Sequence, residues 1–171
     1  MKKRGLRLNL PKENTFIAPA SLLKRFISYF IDLLIVNFII ISPFEKILKR
    51  IIPELSFSEA YLYIQTNPGV ANIIFFLSIV VGILIVAYFT GFEYLAQQTP
   101  GKMLMKQCIV KETGPELRLR NYLISNLTFL PVFPFILLWI IDPIYMIISP
   151  KNQRLMERLA RILVIERYSF K

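Results

Sequence analysis

Two carboxylates, Asp32 and Asp142, stand inside apolar stretches that contain no Lys or Arg. Asp32 interrupts Phe26–Ser42, and Asp142 interrupts Tyr122–Ser149. An unpaired carboxylate in hydrocarbon is costly, so each needs a proton, a partner or a water-filled cavity. Burial favours the neutral form of an acid, which suits such a group to take up and release a proton or to hold a cation. Arg25 and Asp32 are seven residues apart, so on a helix they share one face at about 10 Å along the axis. Ser28 lies between them on the same stripe. The competing reading is structural: a hydrogen bond or ion pair that fixes helix packing, with Arg25 or Arg120 as charge partners. Asp142 precedes Pro143, and Asp-Pro predicts an N-cap and first turn for a helix that restarts at membrane depth. A broken helix is also how transporters expose ion ligands. Brought close, the two acids could share one proton or one cation.

Other chemistry is sparse. The chain has no histidine and one cysteine, Cys108, which excludes His-based catalysis, an intramolecular disulfide and a Cys/His metal cluster. Thr99-Pro100-Gly101-Lys102 lacks the spacing of a phosphate-binding loop. No nucleophile–base pair is visible, so neither enzymatic activity nor a cofactor nor a metal is expected. Glu157, within Arg154–Arg161, has Arg154 at i−3 and Arg161 at i+4, which predicts a solvated, ion-paired helix opened by Ser149-Pro150.

The elements that must position these acids read as membrane segments. The chain has 171 residues, 55% of them hydrophobic, and its apolar residues are bunched. A spanning helix needs about 20 mostly apolar residues. The first span is predicted at 21–43, closed by Pro43, and the second at 69–94. The first is too long in its basic leader to be a cleaved signal and should stay as an anchor. Between the spans, Phe44, Ile47, Leu48, Ile51, Ile52 and Leu55 keep helical spacing opposite Glu45, Lys46, Lys49, Arg50 and Glu54. That pattern predicts an interfacial amphipathic helix over 44–57, limited by Pro53, with Tyr61 and Tyr63 following at the aromatic belt. The third run, 122–149, holds Pro131, Pro134 and Pro143 and is expected to be a broken hairpin turning at Pro131–Pro134, with a single kinked crossing as the alternative. Residues 1–20 read as a basic cytoplasmic tail, 95–121 as a cytoplasmic loop and 150–171 as a cytoplasmic helix and strand. Lys106–Glu112 is a strand candidate ended by the turn Thr113-Gly114-Pro115, and Ile162–Ile165 is a second candidate that could pair with it. The expected fold is an all-α integral membrane protein: a helical transmembrane bundle with an interfacial helix and a small cytoplasmic two-stranded sheet.

The net charge of +10 invites a nucleic-acid reading, but its distribution excludes one. Residues 1–25 hold seven Lys/Arg and one acid, and residues 150–171 hold six and two. Basic residues thus flank the apolar runs, as expected of loops held inside and facing anionic headgroups. An open sheet edge cannot face lipid, so both strands belong on one aqueous side. These points predict a multi-pass cell-membrane protein with both termini cytoplasmic.

Several motifs resemble one family. Ser21-Leu-Leu-Lys-Arg25 followed by Tyr29-Phe-Ile-Asp32 resembles the opening of the RDD family of small membrane proteins, named for an arginine and two aspartates. Gln98-Thr99-Pro100-Gly101-Lys102, after the acid Glu93, is similar to its Gln-Thr-x-Gly-Lys turn. Lys106–Val110 resembles the following strand, and Arg120-Asn121 its Arg-Asn pair. The family's second aspartate corresponds either to Asp142 or to the position of Glu157. Here Met156-Glu157-Arg-Leu-Ala-Arg161 stands where the family usually reads His-Asp-Arg-Leu-Ala-Gly. The resemblance spans roughly residues 20–166 and implies a membrane protein for which ion or small-ligand transport has been proposed.

Two functions follow from these residues. One is a cation/proton or small-ligand transporter using Asp32 and Asp142, expected to be a homo-oligomer or to work with another membrane subunit. The other is a non-transporting scaffold or accessory subunit in which the acids are structural. Measured against each other, the separation of the two acids and the identity of their nearest cations discriminate between them.

Overall fold

Arg25, Ser28, Asp32 and Val36 are the buried residues of the first helix. Their spacing of three and four is one stripe of a 3.6-residue helix, and the rest of its surface is apolar and exposed. This arrangement sets the fold in a computed structural model that describes residues 15–53, 55–112 and 116–169. A short strand, β1 (Thr15–Pro19), leads into α1 (Leu22–Val36). A π-helical turn at Asn37–Ile41 joins α1 to α2 (Ser42–Ile51). The three pieces form one 30-residue apolar helix, Leu22–Ile51. At 1.5 Å per residue it is about 45 Å long, more than the roughly 30 Å of a hydrocarbon core.

Pro43 therefore does not close the first helix, and 44–57 is not a separate interfacial helix. Proline lacks an N–H and its ring crowds the carbonyl four residues earlier. The wider π turn just before it accommodates that mismatch, so the helix continues. Its end comes at Ile52, whose backbone is extended ahead of Pro53, as residues before proline prefer. Lys46, Lys49 and Arg50 ride on this last section. An unforeseen helix, α3 (Phe57–Thr66), follows, started by a capping box between Ser56 and Glu59. Tyr61 and Tyr63 lie on it. Glu54 and the Thr113–Pro115 turn are outside the described residues.

The second long apolar helix is α4 (Pro68–Ala96), with Pro in its first turn and Gln97 left-handed at its end. Gly82, Val86, Phe89, Thr90 and Glu93 are its buried residues, again one stripe. Large side chains elsewhere on these helices are exposed, among them Phe30, Phe38, Phe75 and Phe76. So much contiguous apolar surface is a liability in water and ordinary in lipid. Leu22–Ile51 and Pro68–Ala96 are long and apolar enough to cross a membrane, and little of either apolar stretch is buried inside the protein.

After α4 the Gln-Thr-Pro-Gly-Lys segment forms a one-turn helix, α5 (Pro100–Leu104), and then strand β2 (Gln107–Lys111). The third apolar run is two helices, α6 (Leu119–Asn126) and α7 (Leu138–Ile148), joined through 3-10 turns at Leu127–Phe129 and Phe135–Leu137. The chain doubles back there, since Thr128 bonds to Asp142 and Trp139 bonds to the carbonyl of Thr128. At 1.5 Å per residue, 11-residue α7 is about 17 Å long, short of a full crossing.

A one-turn helix, α8 (Leu155–Leu159), and strand β3 (Ile162–Ser169) end the described chain. The sheet has three strands, in the order β1-β3-β2, all antiparallel. The third strand comes from the segment read as tail; of that tail, residues 1–14 lie outside the described residues. Ala20, Ile109, Tyr122, Ala160, Ile162 and Val164 form the core beneath the sheet. Buried Glu166 on β3 accepts from the backbone N–H of Ser21 at 2.8 Å and from Lys24 Nζ at 2.6 Å. The sheet thereby holds the start of α1, and with it the register of Arg25 and Asp32.

Candidate functional site

Asp32 is held by the turn that follows α4. Thr99 Oγ1 donates to its Oδ2 at 2.5 Å, the N–H of Gly101 donates to Oδ1 at 2.9 Å, and the Tyr88 hydroxyl donates to Oδ1 at 3.2 Å. The turn is pre-shaped by its own sequence. Thr99 caps α5 by accepting from the N–H of Lys102, and Pro100 sits in the first turn. Gly101 is required by contact: a Cβ there would lie 2.1 Å from the Ser28 carbonyl oxygen and 2.9 Å from Asp32 Cγ. The absent side chain lets the backbone of the turn rest directly on α1.

Asp142 does not cap a restarting helix. It lies inside α7, which runs through Pro143. Its Oδ2 accepts from Thr128 Oγ1 at 2.6 Å, and its Oδ1 accepts from the N–H of Met156 at 3.2 Å. Asp142 thus satisfies a first-turn donor of another helix, α8. Pro143 removes only an N–H of α7, while the side chain of Asp142 serves a neighbour brought close by the fold.

Neither acid pairs with the arginine suggested for it. Arg25 turns to the N-terminal end of the stripe, where it donates to Glu157 Oε1 and to the carbonyl of Asn152. Arg120 is exposed on α6. Glu157 is buried, not solvated. Its partners are Arg25 and Arg154, whose Nε donates to Oε1 at 2.9 Å, while Arg161 is exposed with a left-handed backbone. The expected Ser149-Pro150 start is likewise replaced, with Arg154 at the N-cap of a helix of only five residues. Burial opposes the charge on Glu157, but Arg25, Arg154 and Lys102 outweigh it and lower its pKa to about 2. Burial also opposes the charge on Arg154, and there Glu157, Glu93 and Asp142 prevail and raise it.

Lys102 Nζ pairs with buried Glu93 Oε1 at 2.5 Å, and Asn126 Nδ2 donates to Glu93 Oε2 at 2.8 Å. Asn121 bridges elements, accepting from the N–H of Arg118 and donating to the carbonyl of Ala160 at 2.9 Å. Ser28 donates to Gln107 Oε1 at 3.1 Å. Among the described residues, Gln107 Nε2 and Asn126 Oδ1 are buried without a hydrogen-bond partner.

Asp32 and Asp142 line one cavity of about 450 Å³, together with Arg25, Lys102, Arg154 and Glu157. The polar residues occupy one part of its wall, and the remainder is apolar, including Tyr29, Phe89, Phe129 and Trp139. Phe89 and Phe129 stack at 4.4 Å between ring centroids, and Tyr29 stacks on both at 6.4 and 6.1 Å.

Sequence reasoning found both acids and the stripe. It missed Tyr88 and Thr128, which bond to the acids, and Asn126 and Gln107, which complete the network. The signal for Thr128 and Asn126 was present as polar residues within an apolar run. Tyr88 had none, because a hydroxyl on a long apolar helix reads like any belt aromatic.

No curated protein and no solved structure matches the chain. A family model, that of the RDD family, matches residues 19–161, which takes in the Arg25–Asp32 stripe, the turn that clamps it, Asp142 and Glu157. With that match over most of its length, the chain belongs to the RDD family and is a membrane protein.

Proposed function

We propose that this protein exchanges a cation against protons across the cell membrane, with Asp32 and Asp142 as the groups that bind them. One observation carries the reading: both acids line a single cavity and, among the described residues, neither forms a salt bridge, their hydrogen bonds coming from neutral donors. The cationic side chains of the cavity pair with other carboxylates, Arg25 and Arg154 with Glu157 and Lys102 with Glu93. Counting all seven groups as ionised, three cations face four carboxylates. One negative charge in excess within a poorly solvated site favours uptake of one proton or one monovalent cation.

A topology accompanies the proposal. The three strands share one sheet, whose edges need water. The chain before α1, after α4 and after α7 therefore shares one side, taken as cytoplasmic from its Lys/Arg excess. The two long helices cross, and the α6–α7 hairpin enters only part of the bilayer. Two crossings make thin walling for a pathway, so the working unit is a homo-oligomer or includes another membrane subunit, and the basic cytoplasmic face rests on anionic headgroups.

The test is cation-driven proton flux in proteoliposomes, wild type against Asp32→Asn and Asp142→Asn, with thermal stability of each variant measured alongside. Loss of flux in a folded variant is expected. Equal fluxes refute the role of that acid.

A second reading has its own observation. The two oxygens of Asp32 accept three hydrogen bonds, which clamp the turn to α1. As a scaffold or accessory subunit, the protein would need that clamp and no flux. An inactive wild type with a large stability loss in Asp32→Asn favours this reading.

A further inference from the structure

We propose that the cavity binds a lipophilic monovalent organic cation, a quaternary or protonated ammonium with an apolar body. The inference rests on the reading that Asp32 and Asp142 hold a cation, and it names the class of that cation.

Three features select it. First, the wall is built for an apolar body. Leu33, Val36, Ile85, Leu138 and Met146 line the cavity alongside five aromatic rings. Its volume of about 450 Å³ falls within the range that encloses a small organic ligand. Second, the aromatic faces suit a diffuse positive charge, since a cation within about 6 Å of a ring centroid is attracted by its quadrupole. The cavity wall already uses this, with the Arg154 guanidinium 6.0 Å from the centre of Phe129. The Trp139 ring is fixed by its Nε1 donating to the Thr128 carbonyl at 2.6 Å. Third, the carboxylate oxygens are already occupied by donors. Asp32 accepts from Thr99, Gly101 and Tyr88, and Asp142 from Thr128 and Met156. A dehydrated metal ion needs several oxygen ligands of its own, and among the described residues no three carboxylates, Cys or His converge on one point. A diffuse ammonium needs no direct coordination. It is stabilised by net negative charge nearby and by ring faces, which this cavity supplies. The excess of one carboxylate over the cations sets the charge of the guest at one.

Trp139 is the only tryptophan in the chain and lines the cavity, so its fluorescence reports occupancy. The experiment titrates the purified full-length protein in nonionic detergent with benzyltrimethylammonium, and separately with neopentylbenzene, its uncharged carbon isostere. A saturable change with the ammonium, and at least tenfold weaker binding of the isostere, is expected. Asp142→Asn and Phe89→Leu should each weaken ammonium binding at least tenfold. The isostere comparison uses wild-type protein and does not depend on either variant folding. Equal binding of the two probes, or no saturation with the ammonium, overturns the inference. Proton flux driven by sodium, by potassium and by the ammonium is measured on the same protein reconstituted into liposomes. Flux without ammonium binding overturns this inference and leaves cation/proton exchange standing. Ammonium binding without flux supports the ligand class and removes the exchange reading.

Discussion

Gly101→Ala tests whether the turn after α4 is clamped onto Asp32 by direct backbone contact. The new Cβ would lie 2.1 Å from the Ser28 carbonyl oxygen, against a floor of 3.0 Å for real Cβ contacts. The obstacle is backbone of α1, so the turn must retreat by about 1 Å. The hydrogen bond from Gly101 N to Asp32 Oδ1, now 2.9 Å, then stretches past bonding distance. Overpacking of this kind costs about 1–3 kcal/mol. Loss of a hydrogen bond to a buried charged group adds about 1.5–3 kcal/mol. The sum, about 2.5–6 kcal/mol, corresponds to a fall in melting temperature of roughly 5–24 °C for a chain of this size. The assay is thermal unfolding in detergent micelles, with Gly91→Ala as the control. Gly91 lies in α4 with no atom within 4 Å of its added Cβ, so that variant should be neutral or gain up to about 1 kcal/mol. A Gly101→Ala protein melting within about 2 °C of wild type refutes the clamp, because a strained backbone contact and a lost buried bond cannot both be free.

Glu157→Gln should destabilise by about 3–5 kcal/mol, since it leaves Arg25 and Arg154 buried without their carboxylate; chemical unfolding measures it. The pH dependence has a fixed sign. Glu157 is more acidic folded, at about 2, than its ordinary 4.5, so its contribution is present above about pH 4.5 and lost as pH falls towards 2. The amount is about 3 kcal/mol, and stability of the Gln variant should be flatter over that window. Gly82→Ala should loosen the α6–α7 hairpin, because its Cβ would meet Pro131 Cδ at 2.4 Å. A loss of about 1–3 kcal/mol is expected, with a shifted Trp139 emission, and an unchanged spectrum and melting temperature would contradict that contact.

The long apolar helices were legible because they rest on local composition. A long apolar stretch can satisfy its own backbone only as a helix, so 69–94 was close to the observed Pro68–Ala96. The strands at Lys106–Glu112 and Ile162–Ile165 were legible from β-branched runs between turn signals. Pro43 was misread because its effect depends on the turn before it, and a π turn has no sequence signature. The strand at Thr15–Pro19 was missed because its partner lies about 150 residues later, beyond the reach of local pattern.

The site divides the same way. Hydropathy alone marked Asp32 and Asp142, since an acid within an apolar run stands out wherever the chain goes. Helical period alone put Arg25, Ser28 and Asp32 on one buried stripe. Partnership was decided by tertiary structure. Charge and spacing suggested Arg25 and Arg120 for the acids, yet Arg25 goes to Glu157 and the acids take neutral donors from Tyr88, Thr99, Gly101, Thr128 and Met156. A sequence fixes which groups are costly to bury. Which donors meet them depends on segments far apart in the chain, and only packing α1 against the turn after α4, and α7 against α8, brings those donors within bonding distance.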